Sequence, residues 1–113
     1  MDPVETLNTD YLNAMNPELR TRLITMFFDS STNEITTLLK KQIKSSDLKE
    51  VGFCVHKLKG SSLIIGAEAM HQLLLNIEKG ITENNIESIK ALLSEIPLRF
   101  EEYKQAVQGK YID

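Results

Sequence analysis

A chain of 113 residues with a formal charge of -3, 42% hydrophobic and 26% charged residues has the size of one domain with a single modest core. Its small, interspersed charge includes no basic tract and no RNA-binding aromatic pattern, which excludes an ordinary nucleic-acid binder. Cys54 is the single cysteine, so an internal disulfide is excluded and a reducing compartment is expected.

No apolar run approaches the roughly 18 residues of a membrane-spanning helix, and the start Met1-Asp2-Pro3 is unlike a signal peptide. The expectation is a cytoplasmic protein with no membrane contact. Five Gly, three Pro and no Trp, with abundant Leu, Ile, Lys and Glu, favour helix over sheet.

In chain order, Asp2-Pro3-Val4-Glu5 combines an N-cap Asp, Pro at the first helical position and a Glu in capping-box register. Val4, Leu7 and Tyr11 then predict a short amphipathic helix covering one end of the core. Asn16-Pro17-Glu18 repeats the cap-then-Pro signal. From there Leu19, Leu23, Met26, Phe27, Ile35, Leu38, Leu39 and Ile43 follow a stripe that predicts one long helix to about Ser45, with a polar dip from Asp29 to Glu34.

A D-x-x-E box from Asp47 to Glu50 opens the next helix, expected over Leu48 to Ile65. Gly66 punctuates the chain, and a further helix turns Met70, Leu73, Leu74, Ile77 and Ile81 inward and ends near Gly80. Thr82 to Asn85 reads as a short polar link, with Asn85 the N-cap of a last helix. That helix carries Ile86, Ile89, Leu92, Leu93, Ile96, Phe100 and Tyr103 on its apolar side; Pro97 should kink it or divide it after Ile96. Short links force each helix back alongside the previous one. The expected fold is all-α: an antiparallel up-and-down four-helix bundle with a short N-terminal capping helix, in a single domain over 1–113.

At about 100° per residue, Val51, Val55, Leu58, Ser62 and Ile65 gather on one face of the middle helix, while His56, Lys59, Gly60 and Leu63 share the opposite one. A histidine held away from the core needs a chemical reason. Gly52 and Gly60 lie one turn before and one turn after it, so both neighbours on its face lack a side chain, at roughly 1 kcal/mol each in helix propensity. Such clearance suits a second macromolecule that brings its own reactive group to a ring nitrogen. Lys57 and Lys59 add positive charge that suits a group made anionic by modification.

Val55-His56-Lys57-Leu58-Lys59-Gly60-Ser61-Ser62, followed by Gly66-Ala67, resembles the signature of the histidine-containing phosphotransfer (HPt) domains of multistep two-component phosphorelays. That signature reads roughly A-H-x-L-K-G-S-S-x-x-x-G-A. Met70, Leu73, Leu74, Ile77 and Glu78 resemble the family's next helix, and the likeness covers about residues 2 to 108. Val55 stands where Ala is usual and His71 where a small residue is common; neither touches the reactive face.

The resemblance implies a phosphoprotein whose His56 carries a phosphoryl group on Nε2 and relays it between aspartates of receiver domains, those of a hybrid sensor histidine kinase and of a response regulator. Phosphoryl transfer needs a neutral imidazole nitrogen as nucleophile, a state that an exposed histidine populates near neutral pH. The receiver would supply the acidic pocket, the Mg²⁺ and most of the transition-state stabilisation, so the chain itself needs no cofactor and is a phosphocarrier rather than a complete enzyme.

Lys59, one turn from His56, is the expected phosphate-stabilising residue, and Gly60 and Gly52 supply steric clearance. Phe53, Lys57, Leu63 and Ile64 form the expected partner-binding rim, although Ile64 is also placed to pack against a neighbouring helix. His71 reads as a boundary residue rather than a second acceptor. Cys54 and His56, two residues apart, point about 160° away from each other on a helix and cannot share a metal, and no HExxH, CxxC or glycine-rich phosphate loop occurs.

A monomer is expected. Two other readings compete with the relay: the dimerisation and phosphoacceptor part of a histidine kinase, disfavoured because no ATP-binding segment or acidic-then-Pro pattern follows His56, and a helical docking module that binds a kinase or receiver without being phosphorylated.

Overall fold

The computed structural model describes residues 5–40 and 43–112. Its elements run α1 (Thr9–Ala14), α2 (Pro17–Lys40), a 3-10 turn (Ser45–Asp47), α3 (Leu48–Ile64), α4 (Glu68–Thr82), α5 (Ile86–Leu93) and α6 (Ile96–Val107). Among the described residues there is no strand, and the backbone pairing outside helices reduces to one isolated bridge between Gln108 and Ile112. The molecule is an all-α helical bundle.

Val51, Val55, Leu58 and Ser62 of α3 are buried, and Ile65 at its end is too, so the inward stripe falls where its periodicity puts it. α4 brings Met70, Leu73, Leu74 and Ile77 against that stripe, and α2, α5 and α6 complete one continuous core. Each fully buried aliphatic side chain stabilises the fold by roughly 1.5–3 kcal/mol before ordering entropy is counted. Between α2 and α6, Phe27, Phe28, Phe100 and Tyr103 pack with ring centroids 5.8 to 6.3 Å apart.

Three asparagines start helices by accepting a backbone N–H with their side-chain oxygen. Asn8 takes that of Tyr11 at 3.0 Å, Asn16 that of Leu19 at 3.1 Å and Asn85 that of Ser88 at 3.1 Å. Each is worth about 1 kcal/mol. The turn from α3 into α4 is made by Gly66, whose φ of 67° lies in the left-handed region where only glycine is unstrained. Asn8 N–H donates to Gly66 O across 2.9 Å, and this ties the chain before α1 onto the turn.

Several sequence expectations are corrected. The capping signal at Asp2-Pro3-Val4 lies outside the described residues, and the first helix starts at Thr9 under an Asn8 cap; Leu12 is its buried residue, while Tyr11 is exposed. Leu12 lies directly after Tyr11, one position off the Val4, Leu7 and Tyr11 spacing, so that spacing does not mark it. The described part of α2 reaches Lys40, and Ile43 and Lys44 lie outside any helix, so α2 stops short of Ser45; its inward stripe is Ile24, Phe27, Ser31, Ile35 and Leu38. Leu19, Met26 and Leu39 are exposed on its other sides. Asp47 makes no side-chain cap to α3; its carboxylate instead accepts from Lys44 N–H at 2.9 Å within the 3-10 turn.

α4 ends at Thr82, near Gly80 as expected, and Gly80 itself is buried against α5: a Cβ there would sit 3.1 Å from Ile89 Cγ1. Gly80 is a close-packing residue rather than a stop. The division of the last helix falls at Ser94-Glu95, before Ile96, so that Pro97 occupies the first turn of α6, where its missing N–H costs nothing. Among the described residues no helix is long and apolar enough to cross a membrane.

Candidate functional site

α3 holds His56 one turn from each glycine of its face and opposite the buried stripe. The imidazole is 73% exposed. Its Nδ1 lies 3.3 Å from Oε2 of Glu78, which projects from the third turn of α4, and Nε2 has no hydrogen-bond partner among the described residues. The other carboxylate oxygen of Glu78, Oε1, accepts from Lys59 Nζ at 2.7 Å. One carboxylate therefore bridges the ring and the lysine, with each partner on its own oxygen.

The Lys59 ammonium, hydrogen-bonded to Glu78, holds that carboxyl below its ordinary range; His56 acts in the same direction, and partial burial opposes both. Glu78 is ionised at neutral pH. An anion beside Nδ1 favours the proton there, because the hydrogen bond made at one ring nitrogen decides which nitrogen is protonated. Nε2 is then the lone-pair nitrogen, and it is the one directed away from the protein's own partners.

The two lysines part company. Lys59 is mostly buried along its stem and fixed beside the ring, whereas Lys57 reaches away to α2 and pairs with Glu34 at 2.8 Å. That contact raises the Lys57 pKa, chiefly through the hydrogen bond to Glu34. The glycines part as well. A Cβ on Gly60 would meet nothing within 4 Å, whereas one on Gly52 would touch Ile81 at 3.8 Å. The space beside Gly52 is thus partly filled by α4, and clearance of the ring is a property of the Gly60 side.

Phe53 and Leu63 stand exposed on α3 at 77% and 56%, on either side of His56 in sequence. Ile64 is half exposed and lines a shallow groove toward α2 with Leu23, Met26, Phe27, Ser30, Ser61 and Ile65, so it serves both the surface and the α2 contact. Phe53 borders a second open apolar patch with Ser46, Lys49 and Glu50. His71 is half-buried in the first turn of α4, apart from this constellation. Cys54 is half-buried and forms no disulfide, and no group of three or more His, Cys, Asp or Glu among the described residues could hold a metal ion.

Sequence reasoning missed Glu78 as a site residue. It named that position only as part of the following helix, and the signal that could have found it is weak: a carboxylate one residue after the inward-facing Ile77, at the edge of an apolar stripe.

A family model described as the Hpt domain matches residues 22–107. The chain is similar to "Histidine-containing phosphotransfer protein 1" of Arabidopsis thaliana, 30% identical over 84 residues that make up 72% of this chain and 53% of that protein. It is also similar to "Histidine-containing phosphotransfer protein 2" of the same organism, 22% identical over 98 residues, 85% of this chain and 63% of the relative. The chain thus spans between half and two thirds of the length of these curated relatives. The match takes in α3, with the exposed His56, and the α4 carboxylate that orients it, and the chain belongs to the Hpt domain family.

Proposed function

We propose that the chain is a histidine phosphocarrier that accepts a phosphoryl group on His56 Nε2 from a receiver-domain aspartate and passes it to another. The observation that carries this reading is the ring itself: exposed, held at Nδ1 by Glu78 and open at Nε2. Such a nitrogen can attack in line, with its lone pair already directed outward and no proton to lose.

Lys59 is within a turn of the ring and offers an ammonium to the phosphoryl oxygens, and Gly60 leaves room for the incoming domain. Phe53 and Leu63, with Ile64 at the border of the α2 groove, supply apolar contact area around the histidine. Lys57, tied to Glu34, contributes a fixed charge at the rim.

Nothing in this set resembles a complete catalytic apparatus; the receiver, with its acidic pocket and Mg²⁺, would stabilise the transition state. The relatives' name, histidine-containing phosphotransfer protein, supports the same reading. The test is incubation with a phosphorylated receiver domain. His56→Gln should abolish labelling while His71→Gln leaves it intact, and the label should be acid-labile and base-stable as a phosphoramidate is. A docking module that is never phosphorylated would bind receivers equally well with His56→Gln.

A further inference from the structure

Resting on the phosphocarrier reading, we propose that Glu34 is a specificity-determining residue: by closing an ion pair with Lys57 in the middle of the apolar rim, it makes the chain prefer receiver domains whose contact at that point is an uncharged hydrogen-bond acceptor over those that bring a carboxylate or a cation.

Lys57 follows His56 directly but turns to the α2 side, where its Nζ lies 2.8 Å from Glu34 Oε1. Phe53, Lys57, Ser61 and Ile64 recur at helical spacing along one strip of α3, and Phe53 and Ile64 at its ends are exposed. Ile64 shares a groove with Met26 and Ser30 of α2, and Ser30 is one turn from Glu34, so the surface is continuous from the strip to the carboxylate. Lys57 is 65% exposed and Glu34 only 23%, which makes the ammonium the outward end of the pair.

An exposed pair of this kind adds little to folding stability. Its consequence lies in what happens when it is covered. A partner seated on Phe53 and Ile64 removes water from whatever stands between them. A closed pair can be covered, because each charge keeps its counter-charge and the remaining ammonium donors need only a neutral acceptor. A carboxylate brought to the same point leaves a negative charge unbalanced, and a cation leaves a positive one, each desolvated without compensation. Specificity is the difference between these costs.

Removing Glu34 reverses the order. A lone Lys57 in the rim is itself an unbalanced charge, and a receiver carboxylate then becomes the group that completes the pair. His56 and Lys59 are tied to Glu78 on α4, so the charge of the Glu34–Lys57 pair can be altered without touching the groups at the ring.

The test uses the full chain and one receiver domain that binds it. A photo-crosslinking group at position 57 locates the receiver residue that lies over the pair, and the receiver is then prepared with Gln, Glu or Lys at that place. Calorimetry with the unphosphorylated receiver should give the wild-type chain a preference of roughly fivefold or more for the Gln form over either charged form, as expected where an unpaired charge is covered. Glu34→Gln should bind the Glu form tightest, with a steeper salt dependence than any wild-type pairing. The exchanged pair, Glu34→Lys together with Lys57→Glu, should restore the preference for the Gln form.

Both variants should melt close to the wild-type temperature. The same order of affinities in Glu34→Gln as in the wild type overturns the proposal, as does an exchanged pair that keeps the order of Glu34→Gln. A Glu34→Gln chain that fails to fold while the exchanged pair folds makes the contact a structural tie, and that too overturns it. Binding is read without transfer, so the two readings fail separately: affinities in the expected order with no phosphoryl uptake by His56 overturn the phosphocarrier reading and leave the selection by Glu34 standing.

Discussion

Leu12 and Gly66 meet so closely that a Cβ at position 66 would lie 2.8 Å from Leu12 Cγ, on a residue whose φ is already 67°. α1 is fastened to the α3–α4 turn from both directions, by this contact and by the Asn8-to-Gly66 hydrogen bond. Arg20 adds to the clasp by donating to Leu12 O at 2.8 Å while stacking 4.7 Å from the Tyr111 ring, whose hydroxyl donates to Asn13 Oδ1.

Gly66→Ala should therefore lower unfolding stability by about 3 kcal/mol, backbone strain and overpacking together. Urea titration measures it. Leu12→Ala alone should cost about 2–5 kcal/mol. In the double variant the loss should be smaller than the sum, because the missing Leu side chain relieves the clash. Strict additivity would mean that the turn, not the contact, makes the glycine necessary.

Tyr103 supplies a pH-dependent counterpart at the same corner. Its hydroxyl is buried and donates to Ile65 O at 2.8 Å, and burial pushes its pKa well above the ordinary value of 10.0. A raised folded-state pKa gives stability that is complete below the unfolded-state value and is lost as pH rises beyond it, since the unfolded chain then releases a proton that the folded one keeps. The wild type should lose up to about 1.4 kcal/mol per pH unit above pH 10 through this group. Tyr103→Phe should be less stable by about 1 kcal/mol at neutral pH, and the gap should narrow above pH 10. Parallel stability curves would mean that Tyr103 ionises in the folded state as freely as in the unfolded one.

How much of this was legible in the sequence depended on whether a feature is local. The buried stripe Val51, Val55, Leu58, Ser62 and Ile65 was readable because these residues recur at helical spacing within one stretch that Gly66 closes. α2 was misread in part, since a 24-residue helix with Leu19, Met26 and Leu39 off the core carries apolar residues on more than one side, and only its neighbours choose which side is inward. Ser31, buried in the middle of the polar dip, gives no hydrophobic signal at all. The Glu78 bridge was illegible for a different reason: His56 and Glu78 are 22 residues apart, and their meeting is set by how α3 and α4 cross. The same holds for Lys57 and Glu34, and for Ile81 filling the space beside Gly52.

The exposed rim yields a prediction about partners. Phe53 and Leu63 bury little in the free protein, so Phe53→Asp and Leu63→Asp should keep the helical circular dichroism and shift stability by less than about 0.5 kcal/mol. Receiver binding should weaken by roughly fivefold or more for each, as expected of apolar contacts at an interface centre. Lys57→Ala should affect transfer less than Lys59→Ala, because Lys57 is held by Glu34 and Lys59 stands at the ring. Unimpaired binding by both Asp variants would place the docking surface elsewhere.

The last prediction separates stability from function at Gly60. A Cβ there meets nothing within 4 Å, so a side chain at this position enters solvent and not a packed neighbour. Replacing a mid-helix glycine should then stabilise the free protein by up to about 1 kcal/mol, through helix propensity and a more restricted unfolded chain. Gly52→Ala should gain at least as much, since its new methyl would meet Ile81 at an ordinary van der Waals distance of 3.8 Å. On Gly60 a longer side chain stands one turn from His56, in the space an approaching aspartate needs for in-line attack, where small displacements are expensive. Gly60→Gln should accordingly melt at or above the wild-type temperature while phosphoryl transfer falls at least about tenfold. Early melting would reveal a helix contact at this position, and normal transfer in a stabilised variant would remove steric clearance from the reasons for a glycine there.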